Sequence, residues 1–331
     1  MTTRWGIAAT GGMAAAFASD LALVPDAELT FVGSRSAERA ASFAGRFGAT
    51  ASGTYGDLLA AARSREVDVV YVATPHPQHH ALALAAIEVG TPLLVEKAFT
   101  ATLAGAQEVV AAARAAGVFC MEAMWTRFQP VVAHLRELVA AGEIGELLLV
   151  QADFGAHRAY DPASRLFDLE LGGGSVLDLG VYPVSFAQHL LGRPDRVTAT
   201  GTTYPNGADR SAAILLSYDD GRAASLTCSL ASATPGRALV QGDRGSIEVE
   251  PPFHHPSRLV LRRNGQEPVA VELAPTGRGY VHQVEEVQSC LAAGATESAV
   301  MPLADTLDVQ WVLEECLGQL GITMREADIH L

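Results

Sequence analysis

The feature that most constrains this chain is a rhythm. Through Ala141, short apolar runs alternate with Ala-rich stretches of helical length. Trp5–Ala9, Glu28–Gly33, Val67–Ala73, Pro92–Val95 and Val118–Ala123 read as strands. Met13–Leu23, Ala37–Phe47, Gln78–Val89 and Leu103–Ala116 read as the helices between them, and Pro130–Ala141 as a helix after the last. Val67–Ala73 is apolar but for one Asp, as expected of a strand buried on both faces. Strands joined through helices pair in parallel by right-handed crossovers. The expected fold of residues 1–123 is therefore a doubly wound parallel sheet of Rossmann type.

After Gly142 the rhythm changes. Leu147–Phe154, Arg196–Tyr204, Ala212–Ser217, Ala223–Leu230, Ala238–Gln241, Ser246–Val249, Leu259–Arg262 and Val269–Leu273 read as strands. Asp219-Asp220-Gly221, Asp243-Arg244-Gly245 and Asn264-Gly265 are hairpin turns. Helices are expected at Val176–Leu191, Val281–Ala292 and Ala304–Leu320. Residues 124–331 thus form a second, α+β domain around a largely antiparallel sheet. With 331 residues, 49% of them hydrophobic and 18% charged, two cored domains are affordable and disorder is excluded. A net charge of −14 argues against nucleic acid as partner. No apolar stretch is long enough to span a bilayer, so no membrane association is expected. Cys120, Cys228, Cys290 and Cys316 are widely spaced, which suggests neither a zinc clip nor a disulfide framework and fits a reducing cytoplasm. Gly6, Gly11 and Gly12 interrupt what could pass for a signal peptide.

The first strand runs into Ala9-Thr10-Gly11-Gly12-Met13-Ala14. A dinucleotide loop G-x-G-x-x-G/A needs one Gly for the turn, a second for pyrophosphate approach and a small third residue for packing. Gly11 and Ala14 fill the last two places, while Ala9 stands where the first Gly is usual. The second strand ends in Gly33-Ser34-Arg35-Ser36, with Arg39 one turn on. NAD enzymes place a carboxylate there to bind the ribose hydroxyls. Here Ser34, Arg35 and Arg39 suit a 2′-phosphate, so NADP(H) is favoured over NAD(H).

Of 23 basic residues, Lys97 is the only lysine. Where arginine has replaced lysine everywhere else, the exception marks a position that needs a compact ammonium donor. Lys97 follows Val95-Glu96, and Ala73-Thr74-Pro75-His76 follows the strand before. Both lie at carboxyl ends of parallel strands, where open α/β sheets bind ligands. In the second domain a triple Gly, Gly172–Gly174, precedes Asp178 and Tyr182, whose spacing of four would put them on one face of a helix.

These segments, in this order, resemble the Gfo/Idh/MocA oxidoreductase family over nearly the whole chain. The carrying residues are the nucleotide loop, Ala73-Thr74-Pro75 with His79, Glu96-Lys97, and the Gly-rich helix start with Asp178 and Tyr182. Met121–Phe128, Arg165-Leu166-Phe167 and Tyr182 are similar to the dimeric dihydrodiol dehydrogenase and NADP-dependent D-xylose dehydrogenase branch. The resemblance implies hydride transfer on a sugar, polyol or vicinal diol. It makes Lys97 the essential lysine at the reacting oxygen, Tyr182 the proton donor and acceptor, and Asp178 the group that orients substrate or tyrosine. An ammonium beside a phenol lowers its pKa toward the working pH, so the pair makes chemical sense in its own right. The family has Pro after Glu-Lys, and Ala98 departs from that pattern.

Cofactor contacts are expected from Ala9, Thr10, Gly11, Gly12, Met13, Ser34, Arg35, Arg39, Thr74, Pro75, His76, His79, Glu96 and Lys97. Substrate contacts are expected from Trp125, Arg127, Phe154, His157, Arg165 and Tyr182. His254-His255 reads as a proline-flanked surface loop. His76, His79 and His80 lack a carboxylate at ligand spacing, so no metal is expected. Ser175 has no nucleophile elbow around it, so a serine hydrolase is not supported. Two other readings remain: a glycosidase working by transient oxidation with held cofactor, and a non-catalytic dinucleotide or sugar sensor. The broad outer face of the antiparallel sheet suggests a homodimer or a dimer of dimers.

Overall fold

In this computed structural model residues 2–329 are described. The chain divides into two compact units. The first begins with β1 (Thr3–Ala8), α1 (Gly12–Leu21), β2 (Ala27–Gly33), α2 (Ala37–Phe47), β3 (Ala51–Gly53) and α3 (Tyr55–Arg63). It continues with β4 (Val69–Val72), α4 (His76–Glu88), β5 (Leu93–Glu96), α5 (Leu103–Ala116) and β6 (Cys120–Ala123). The six strands pair in parallel in the order β3-β2-β1-β4-β5-β6. β4, β5 and β6 are buried throughout, as strands covered on both faces must be. The order reverses between β1 and β4, so a crevice opens at their carboxyl ends, next to the loops at Ala9 and Thr74.

β3 and α3 were not anticipated from the apolar pattern. β3 is Ala-Ser-Gly and too short to show alternation. α3 did carry a signal, because Thr54 and Asp57 form a reciprocal capping box.

The boundary at Ala123 coincides with the first break between the units, but not everything after it belongs to the second. The first unit regains Thr276–Thr306, which holds α8 (Tyr280–Ala292), and the stretch from Arg325 onward. Asp20, buried in α1, accepts the backbone N–H groups of Arg278 (2.8 Å) and Tyr280 (2.9 Å), capping α8 from another helix. Arg114 pairs with Glu297 at 2.8 Å, and the Cys120 amide donates to Thr296 O at 3.2 Å. Such returns join residues far apart in sequence, so no local pattern announces them.

The second unit spans Met124–Pro275 and Leu307–Met324. It contains a 3₁₀ turn (Trp125–Phe128), α6 (Pro130–Ala140), β7 (Leu147–Gly155), a π-helical turn (Val176–Gly180) and α7 (Val181–Leu191). β8 (Arg196–Thr203), β9 (Asp209–Ser217), β10 (Ala223–Ser229), β11 (Ala238–Gly242), β12 (Gly245–Val249), β13 (Arg258–Arg263) and β14 (Val269–Glu272) follow. The eight strands run in the order β14-β13-β12-β11-β7-β10-β9-β8 and are antiparallel except for the β7–β10 pair. Val150, Ile214, Leu216, Leu226, Val240 and Ile247 form the buried face, and α7 packs on β7 and β10. The opposite face shows a row of Leu239, Gln151, Ser225 and Leu215 across four strands. Among the described residues no helix is long and apolar enough to cross a membrane.

Candidate active site

In the first unit the loop after β1 ends in Gly11, which precedes α1 without a side-chain cap. A Cβ built on Gly11 or Gly12 would meet nothing within 4 Å. An uncapped helix start with open space above glycine is a cradle for a phosphate anion. Ala9 adopts φ 146°, a region that L side chains rarely enter. The backbone thus keeps the turn that glycine ordinarily makes, though a methyl group occupies the position. At the end of β2, Ser34 is buried and its hydroxyl accepts from the Ser36 amide at 3.4 Å. Ser36 caps α2 through the Arg39 amide, and the Arg35 and Arg39 side chains are exposed beside this turn.

The loops after β4 and β5 are tied together. His79 is fully buried; its Nε2 lies 2.7 Å from Thr74 O and its Nδ1 3.0 Å from Ala98 O. Burial, assisted by the Lys97 ammonium and opposed by the backbone contacts, lowers its pKa to about 4, so the ring is neutral at pH 7. Sequence reading placed His79 against the cofactor, but it has no exposed surface and lies between two loops, where the neutral ring has one N–H to donate to one of the two carbonyls. His76 begins α4 with its ring edge-on to His79, at 5.8 Å between centroids. Thr74 Oγ1 and Gln78 Oε1 are buried with no hydrogen-bond partner, polar atoms suited to a bound polar group. Lys97 is 8% exposed, and its peptide bond to Ala98 is cis. The buried Glu96 accepts a short hydrogen bond from the Tyr71 hydroxyl, and Tyr71 stacks on Phe17 of α1. Glu326 reaches back to accept from the amide (2.8 Å) and hydroxyl (2.7 Å) of Thr102, and the Ala327 amide donates to Pro77 O at 2.8 Å. The stretch around Glu326 therefore braces the chain beyond Lys97 and the start of α4.

In the second unit Tyr182 is buried on α7 within an aromatic cluster. Its ring centroid lies 5.5 Å from Phe154 and 5.4 Å from His254, and Phe154 stacks on His254 at 4.0 Å. Trp125 stacks on His255 at 4.5 Å. The two histidines, expected in a surface loop, are half-buried parts of this cluster. Their signal was not local, because the rings they meet come from β7, α7 and the 3₁₀ turn. Asp178 pairs with Arg165 at 3.3 Å. Asp178 lies in the π-helical turn that runs directly into α7, which carries Tyr182.

Two expected substrate contacts have protein partners of their own. Arg127 is only 2% exposed, with Nε donating to Ser185 Oγ at 3.0 Å and Nη2 to Gln188 Oε1 at 2.6 Å. It is a buried strut under α7, not an open substrate arm. The exposed His157 places Nδ1 2.8 Å from Ala231 O.

Comparison with known proteins follows the same division. Residues 3–124 match the oxidoreductase family with NAD-binding Rossmann fold, and residues 132–248 match the GFO/IDH/MocA C-terminal domain. The chain is 35% identical to trans-1,2-dihydrobenzene-1,2-diol dehydrogenase of Mus musculus, over 98% of each chain.

The chain belongs to the Gfo/Idh/MocA oxidoreductase family.

Another member of similar sequence is D-xylose 1-dehydrogenase (NADP(+)) of Hypocrea jecorina, 34% identical over 98% of this chain and 94% of that one. Among solved structures, the aldose-aldose oxidoreductase of Caulobacter crescentus superposes with a TM-score of 0.88 at 23% identity, covering 97% of this chain and 98% of the other. Levoglucosan dehydrogenase does so with a TM-score of 0.88 at 19% identity, covering 97% and 98%. As a member of this family, the protein is a dehydrogenase or reductase acting on hydroxyl-bearing carbon, with a nicotinamide cofactor.

Proposed function

We propose that this enzyme prefers NADP(H) and interconverts the CH–OH and C=O forms of a sugar, polyol or vicinal diol. The observation that carries the cofactor preference is the end of β2, where Ser34 and Arg35 directly follow the strand in place of a carboxylate, with Arg39 one turn on. Guanidinium groups pair with a 2′-phosphate, whereas NAD recognition calls for an acceptor at this place. The substrate class is supported by the relatives named for dihydrodiol and D-xylose oxidation.

The residues that fit the cofactor are Gly11 and Gly12 at the pyrophosphate, Arg35 and Arg39 at the adenosine phosphate, and Thr74 and His76 nearer the nicotinamide. The nicotinamide supplies the hydride acceptor or donor. In oxidation Tyr182 takes the hydroxyl proton as the C–H bond gives up its electron pair; in reduction it returns that proton to the new alkoxide. The role of Lys97 in this reading is to stabilise negative charge on the reacting oxygen through its ammonium. Asp178, held by Arg165, orients the polar group of the substrate. Trp125, Phe154 and His254, part of one stacked aromatic cluster with Tyr182, supply apolar surface suited to the carbon face of a sugar or diol. The protein works in the cytoplasm as a homodimer or dimer of dimers, paired through the exposed sheet face that carries Leu215 and Leu239.

Fluorescence titration with NADPH and NADH tests the cofactor assignment. NADPH binds tighter, and Arg35→Ala with Arg39→Ala removes the difference. Equal or tighter NADH binding by the unaltered protein contradicts it.

A further inference from the structure

The helix bearing Asp178 and Tyr182 starts without a cap of its own. Ser175 stands at the N-cap position of the π-helical turn, yet its side chain caps no helical amide. The group that fills this place comes from β9. Asp209 Oδ2 accepts from the Val176 amide at 2.6 Å and from Ser175 Oγ at 2.7 Å. Asp209 and Ser175 have no exposed surface.

The fit is close on every side. Gly174 has φ 126°, and a Cβ there would stand 2.0 Å from Asp209 Oδ1. A Cβ on Gly173 would stand 2.7 Å from Arg165 O, in the stretch whose side chain pairs with Asp178. A Cβ on Gly180 would stand 3.1 Å from Cys228 Sγ on β10, and Cys228 Sγ lies 3.6 Å from Ser175 Oγ. Gly174 therefore lets the backbone close against a carboxylate, and Gly173 lets it close against the backbone of Arg165 and Asp168. That carboxylate belongs to the rigid sheet and sits at the positive end of the helix. Single π-helical turns of this kind recur at functional sites because they re-aim side chains.

We propose that Asp209 is a positioning residue for the reaction. Its carboxylate locks the start of the π-turn to β9 and so sets where Asp178 and Tyr182 point. This rests on the reading that Asp178 and Tyr182 carry the chemistry. A misplacement of about 1 Å costs on the order of a hundredfold in rate when proton transfer and orientation are at stake. Asp209 touches neither helix residue's reacting atoms, so its loss acts on turnover and not on cofactor binding.

The test compares Asp209→Ala, Asp209→Asn and Ser175→Ala with the unaltered enzyme. Turnover is expressed per folded molecule, with the folded fraction taken from near-ultraviolet circular dichroism. Asp209→Ala loses both bonds, and its kcat falls at least about tenfold while the substrate KM and the NADPH Kd stay within about twofold. Asp209→Asn keeps an acceptor oxygen and restores most of the rate. A role in stability alone lowers the folded fraction and leaves kcat per folded molecule unchanged, which overturns the proposal. Should Asp209→Ala not fold, Ser175→Ala decides: it removes one bond, leaves the Val176 amide in place, and lowers kcat at least about threefold at constant KM, or the proposal fails. If the unaltered enzyme turns over no sugar or diol, the function and the positioning role fall together. If it turns over and the variants match it, only the positioning role falls.

Discussion

Acid titration of stability isolates His79. The ring is fully buried between Thr74 O and Ala98 O, and burial lowers its pKa to about 4 from an ordinary 6.5. Between these values the unfolded chain binds a proton that the folded chain refuses. Stability therefore rises with pH across this window, and the contribution is lost as pH falls from 6.5 toward 4. Each pH unit of difference corresponds to about 1.4 kcal/mol, so the full loss is about 3 kcal/mol, with about 2 kcal/mol gone by pH 5. Urea unfolding from pH 7.5 to 4, read by tryptophan fluorescence, measures it. The half-buried His189, lowered to about 2 chiefly by desolvation with help from Arg127 and Arg136, steepens the acid loss in the same direction. The control is therefore His79→Gln, which does not titrate in this range and leaves His189 in place. The unaltered protein loses about 3 kcal/mol more than His79→Gln across the window. Parallel curves refute the reasoning, because they place the ring's ionisation at its ordinary value in the folded state.

Three further outcomes follow from particular positions. Ala9→Gly relieves a backbone at φ 146° and is neutral or stabilising by about 1 kcal/mol in thermal unfolding, where an interior Ala→Gly change ordinarily destabilises. Gly174→Ala puts a methyl group 2.0 Å from Asp209 Oδ1 at φ 126° and costs more than about 2 kcal/mol, read as a lowered melting temperature or loss of folded protein. Leu215→Arg, on the exposed row of the antiparallel sheet, gives a smaller particle in light scattering, while a mass equal to that of the unaltered protein contradicts pairing through this face.

The parallel sheet was legible because its strands announce themselves. Val69–Val72 and Leu93–Glu96 are short, continuous and bounded by turns, and no helix of such length is worth forming. The turn at Ala9 was legible as a degenerate match, and the backbone shows that the turn persists without its first glycine. The solitary Lys97 stood out by composition alone, and it follows β5 directly, 8% exposed. What escaped was non-local. Asp209 lies 33 residues from the amide it caps, and Asp20 lies 260 from the Tyr280 amide, so neither bond leaves a trace in a short window. His254 and His255 looked solvated because prolines flank them, yet aromatic faces from distant elements cover them. Arg127 was expected among the substrate contacts, within the run Met121–Phe128. Its guanidinium turns under α7, a direction that packing sets and spacing does not.

The most direct test of the central claim is NADP⁺ reduction with D-xylose and with a trans-dihydrodiol, by the unaltered enzyme and by Tyr182→Phe. The account predicts steady NADPH formation with at least one of these substrates. It also predicts a loss of about a hundredfold or more in kcat for Tyr182→Phe, with NADPH binding retained. Steady turnover undiminished in Tyr182→Phe, or none by the unaltered enzyme, contradicts it.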